Sequence, residues 1–262
     1  MKTKIHSNPI LKKLGKVDEI AEEGKSATYK GVAFKTIFLL LFSVVGFGAF
    51  YLLHGILDGS PLAMDGYDIY MKEAELVLTC LILIVLTPIF SWLIKPLSGL
   101  FGVIYSLAQG YTLGLLANIS PDYMPLVITA LVLTLVVVLV LLFLYAKRIV
   151  KVTEKFKTIM FAVFGGSVLI TIVLGILAVV VPGNPVTQFV FSSDGIIGIV
   201  GSVIGLIIAS LFLLSDFNRV ETMVENNLPK KYEWQAAFGL NFTIIWIYMK
   251  IFTILMQAEE HK

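Results

Sequence analysis

Seven apolar runs recur along the chain, each close to the ~20 residues that a helix needs to cross a bilayer core. They lie at roughly 36–53, 76–94, 97–117, 126–146, 158–181, 195–214 and 236–256, separated by charged or Pro/Gly-containing segments. The pattern predicts an all-α fold, an integral membrane bundle of seven transmembrane helices. Residues 1–35 form an N-terminal tail, 36–256 the transmembrane domain and 257–262 a short C-terminal tail. Runs two and three adjoin, which predicts an antiparallel hairpin with Lys95 at its tip and Trp92 as an interface anchor. The fourth run, LVITALVLTLVVVLVLLFLYA, has almost no polar atoms, and so is expected to face lipid most. The fifth is expected to end at Pro182, Gly183 and Pro185.

Polar positions modify this picture in three helices. In the sixth, Gly198, Gly201, Ser202, Gly205 and Ala209 recur at helical spacing and leave one face nearly bare for a close neighbour. Counting on at ~100° per residue returns Asp216 to that face, at the water-side end. In the seventh, Thr243, Lys250 and Thr253 share a face while Asn241 and Tyr248 lie roughly opposite. A helix touching lipid keeps one side clean, so the last helix is expected to be central. In the third, Gly110 and Gly114 signal close packing, and Gln109 sits near mid-span, either as an interhelical hydrogen bond or as lining of a polar path.

Composition then fixes the class. With 58% hydrophobic and 15% charged residues, and mean hydropathy +0.91, the chain is too apolar for a soluble domain. Seventeen of the 20 Lys and Arg fall in segments 1–35, Lys95, 147–157 and 215–235, which puts the amino terminus in the cytosol and the carboxyl terminus outside a cell inner membrane. The polar, charged start reads as a cytosolic tail without a cleavable signal, and 17–25 as either a short surface helix or a solvated stretch. KRIVKVTEKFK is a basic connection suited to anionic headgroups, making membrane lipids an expected partner. A net charge of +2, spread over several loops, argues against nucleic acid.

No enzyme is expected. His6, His54 and His261 are too scattered to support a Ser/His pair or a histidine metal site, and there is no nucleotide loop, so no cofactor or resident metal is predicted. Cys80 lies inside an apolar run, and the acidic residues Asp58, Asp65, Asp68, Glu73 and Glu75 match no calcium loop. Asp216 has two readings. Either it binds a cation or gates by protonation, with Lys35, Arg219 or Glu233 as neighbours at the inner mouth, or it N-caps a helix over 217–225. Lys250 either pairs within the bundle or extends its ammonium to the outer surface. Asn241 and Thr243 either line a path or bond to neighbouring helices.

TYKGVAFKTIFLLL, KVTEKFKTI, LLSDFNRVE and KKYEWQAAFGL together resemble the bacterial Bax inhibitor-1/YccA family, over roughly residues 8–256. The resemblance implies seven helices with the last one between two groups of three. It also implies a pH-sensitive calcium leak in which two aspartates share a proton near the cytosolic mouth. Asp216 matches the first aspartate, whereas Thr243 stands at the second. Gln109 stands where many members carry Glu, and Lys250 and Thr253 where Glu and Arg are frequent. Calcium, protons and, through the YccA branch, a membrane quality-control protease are the partners implied. The alternative is a non-conducting regulator that binds such a protease or another membrane protein.

Overall fold

A computed structural model describes residues 26–58, 66–118, 123–181, 183 and 196–260. Among these residues seven long helices follow in order: α1 (Tyr29–Asp58), α2 (Gly66–Leu93), α3 (Ser98–Asn118), α4 (Tyr123–Ala146), α5 (Glu154–Val180), α6 (Ile196–Glu225) and α7 (Glu233–Glu260). No strand is assigned among the described residues. Six candidate membrane spans are found among them: Tyr29–Gly55, Ala74–Ser91, Lys95–Asn118, Tyr123–Ala146, Gly198–Glu225 and Lys230–Glu259. Helix α5 is not among these six, so the expected count of seven spans is not confirmed.

The helices run past the apolar stretches that announced them. α1 begins at Tyr29 instead of 36, α2 at Gly66 instead of 76, and α5 at Glu154, where the Thr153 hydroxyl accepts a hydrogen bond from Phe156 N at 3.2 Å. Hydropathy marks only the part of a helix fit for lipid, and charged first and last turns continue it. The largest difference is in α6, expected to stop at 214 and observed to continue to Glu225. The predicted charged elbow thereby shrinks to a short link holding a 3₁₀ turn, Lys230–Tyr232. The possible helix at 17–25, Asp65 and Pro185 lie outside the described residues, as does the side chain of Trp92.

Helix α7 packs against α1, α3, α4 and α6, as its lack of a clean face predicted. Helix α3 also packs on α1 and α2, and α6 on α4 and α5. Its buried residues are spread round its circumference and include Ala237, Phe238, Asn241, Thr243, Ile247, Tyr248 and Phe252. By contrast, α4 buries only Ala130 and Thr134, in keeping with the lipid-facing role read from its composition.

Among the described residues α1 and α3 come into very close backbone contact. A Cβ at Gly110 would overlap the backbone carbonyl of Ser43, and one at Gly46 would overlap that of Leu107. With no hydrophobic force between helices in lipid, such backbone proximity is what dispersion attraction needs, and glycine permits it. The Gly110 and Gly114 signal was therefore a true packing signal, Gly114 lying against Phe50.

Candidate functional site

Because α6 is continuous through Ser215, Asp216 sits inside a helix and is no N-cap; that reading is overturned. Nine residues separate it from Glu225, about 13.5 Å at 1.5 Å per residue. Its side chain is half-buried against α7, where the Thr243 hydroxyl donates to Oδ2 at 3.0 Å. Gly239 leaves room beside it, since a Cβ there would lie 3.6 Å from Oδ1. Thr243 Oγ1 also stands 3.2 Å and 3.1 Å from the carbonyls of Gly239 and Leu240. One proton cannot serve three acceptors at once, so the hydroxyl can turn between carboxylate and backbone.

The same seam continues along α7 at seven-residue intervals through Lys250 and Gln257. Each step is about 10.5 Å of helix. Opposite Lys250 is Gly205 of α6, where a Cβ would come within 2.8 Å of Lys250 Cε and 3.3 Å of Nζ. Opposite Gln257, the Ser202 hydroxyl donates to Oε1 at 3.2 Å, both side chains being buried. The bare face expected in α6 is thus occupied in part: Ser202 and Gly205 meet α7 and Ala209 is buried, whereas among the described residues nothing lies within 4 Å of a Cβ at Gly201.

On the far side of α7, Asn241 is fully buried and donates through Nδ2 to Ser106 Oγ of α3 at 3.0 Å. Among the described residues its Oδ1 has no hydrogen-bond partner, and neither has the buried hydroxyl of Ser43 in α1. Gln109 is buried one turn further along α3 than Ser106. Asn241 and Thr243, grouped in the sequence as lining of one path, therefore belong to different interfaces, α3–α7 and α6–α7. Two residues along a helix turn by ~200°, which is why they part. Tyr248 likewise points away from the seam, with its hydroxyl 3.5 Å from the carbonyl of Val127.

Of the three proposed charge partners of Asp216, Lys35 and Glu233 pair with each other, while Arg219 is close enough to act on the carboxylate electrostatically. Glu233, fully buried at the start of α7, is ion-paired with Lys35 of α1 and accepts from Thr28 N at 2.8 Å and Thr28 Oγ1 at 3.3 Å. Gly31 makes room for that carboxylate, and the Lys35 ammonium lies 5.3 Å from the Trp234 ring centroid. Beside it Ala27 N donates to Leu228 O at 2.8 Å, and Ser26 pairs with Pro229 as an isolated bridge. Arg219 is exposed. Charge alone placed these residues at one end of the bundle; a buried carboxylate takes the nearest donors, and for Glu233 these are Lys35 of α1 and Thr28 just before it.

Six polar partners went unnoticed in the sequence. Tyr145 donates to Glu221, which also pairs with Arg148, and Asn218 Nδ2 reaches Tyr145 Oη at 3.4 Å, so α4 is tied to the end of α6. Ser106 and Gln257 were likewise missed. Only Gln257 had a legible signal, its seven-residue spacing from Thr243 and Lys250.

Among the described residues no group of three or more His, Cys, Asp or Glu could hold a metal ion. What the seam can do is present one carboxylate, backed by a turning hydroxyl, in a polar line between two apolar helices. A family model described as Bax inhibitor 1 like matches residues 8–260. No curated protein and no solved structure matches the chain.

Proposed function

This chain belongs to the Bax inhibitor 1-like family, and from that premise we propose that it is a cation leak protein with Asp216 as its ion-contacting carboxylate. It is a multi-pass membrane protein. The reading takes α5 as a seventh span and, on the bias of 17 of the 20 Lys and Arg to alternate segments, takes the amino terminus as cytosolic and the carboxyl terminus as lying outside the cell's inner membrane. Asp216 then lies near the cytosolic mouth, and calcium is the first cation to try.

The observation that carries the reading is the hydrogen bond from Thr243 to Asp216 on a seam inside the bundle. An ionisable residue within a span is expensive to keep, and it marks an ion or proton pathway more often than a structural need. With threonine across the seam there is no second carboxylate to share a proton, so the coupled titration of a close pair is absent here. Asp216 answers to pH as a single group.

The test is calcium flux into proteoliposomes of the purified protein between pH 5 and 8. Wild type should exceed protein-free vesicles, Asp216→Asn should change the rate and remove its pH dependence, and Thr243→Asp should alter that dependence. Flux unaffected by Asp216→Asn would refute the role of the carboxylate. The absence of the second carboxylate favours one other reading, a non-conducting regulator acting through a membrane partner such as a quality-control protease. Silence of wild type alongside a partner recovered by crosslinking would support it.

A further inference from the structure

Lys250 has no part in the reading above. It lies inside a candidate span, ten residues or about 15 Å from the end of α7. Its side chain is half-buried and folded into the notch that Gly205 leaves in α6. No carboxylate or hydrogen-bond partner meets its ammonium among the described residues, although Glu233, Glu221 and Glu154 each hold a basic partner. Between Ile196 and Ser215 α6 carries no charged residue, and between Trp234 and Ala258 Lys250 is the only one in α7. The field along this half of the seam is therefore set by one ammonium.

We propose that Lys250, held in the Gly205 notch between Asp216–Thr243 and Ser202–Gln257, is the barrier that limits cation passage along the α6–α7 seam. The inference rests on the reading of Asp216 as a cation site and adds what keeps that site from conducting freely. A cation at Asp216 is attracted by the carboxylate, but the next step along α7 takes it toward a fixed positive charge about 10.5 Å on. In a narrow, weakly screened passage a lysine or arginine of this kind excludes cations. Repulsion scales with the charge of the ion, so a divalent cation meets twice the barrier of a monovalent one. Gly205 is what allows the aliphatic arm to lie across the seam, because any side chain there would displace it.

The experiment compares calcium and potassium flux in proteoliposomes of the full chain for wild type, Lys250→Met, Lys250→Arg and Asp216→Asn. Lys250→Met should raise calcium flux at least tenfold and potassium flux by less, while Lys250→Arg, which keeps the charge, should stay within twofold of wild type. Lys250→Gln replaces the methionine variant if that one does not purify as a folded protein, with the same expectation. Where wild type conducts and responds to Asp216→Asn, an unchanged rate in Lys250→Met, or an equal rise in Lys250→Arg, overturns the barrier and leaves the cation reading standing. Flux at the protein-free level in both wild type and Lys250→Met overturns the two together.

Discussion

Replacing Lys35 by methionine would strand the carboxylate of Glu233, which is 0% exposed and would keep only Thr28 as a donor. Removing one partner of a buried pair costs about 3–5 kcal/mol, because a buried charge is left uncompensated. The Lys35 side chain is 16% exposed, so water reaches the gap it would leave, and the expected loss is at the lower end, about 3 kcal/mol. For a protein of this size that is a fall in Tm of roughly 6–12 °C. Glu233→Gln keeps the shape and the acceptor facing Thr28 N but leaves the Lys35 ammonium to water, and should cost less. In the double variant no charge is stranded, so the loss should be smaller than the sum of the two single losses by about 1–3 kcal/mol. Thermal unfolding of the four proteins in one detergent, followed by intrinsic fluorescence, closes the cycle. Strictly additive losses, or a fall below about 3 °C in Lys35→Met, would mean that the pair is too well solvated to matter.

Two other expectations concern the α3 interfaces. Gly110→Val should cost more than the usual ~1–3 kcal/mol of an overpacked core, because the added atoms meet the Ser43 backbone, which cannot rotate away; the check is the yield of monodisperse protein after detergent extraction. Asn241→Leu should cost less than about 2 kcal/mol despite complete burial, since an interhelical hydrogen bond in a membrane is worth only ~0.6–2 kcal/mol and the change also removes the unpartnered Oδ1. A Tm drop of more than about 8 °C would point to a role for Asn241 beyond the bond to Ser106.

The sequence disclosed the axial order of the bundle better than its ends. Central α7 could be read because polar residues two positions apart, Asn241 and Thr243, left it no lipid-facing side, and the structure places them against α3 and α6. Asp216 on the α7-facing side of α6 followed from helical counting alone, which holds only if the helix does not break. Hydropathy suggested that it does: the apolar run stops at Leu214, yet the amphipathic turns that follow continue the helix to Glu225. The charge partners were not legible, because clustering in sequence at one end of a bundle says nothing about which helix stands beside which. Lys35 and Glu233 are 198 residues apart and meet through the contact of α1 with α7.

The unbroken course of α6 also limits what insertions and deletions the chain tolerates. Asp216 and Glu221 stand on one rigid helix, the first facing Thr243 and the second facing Tyr145 and Arg148. Deleting or adding one residue between them would swing Glu221 by about 100° around the axis while leaving Asp216 in place. Length is therefore fixed over 217–220 even where the side chains are half-buried or exposed. Related chains that keep both contacts should differ there by substitution and not by gaps.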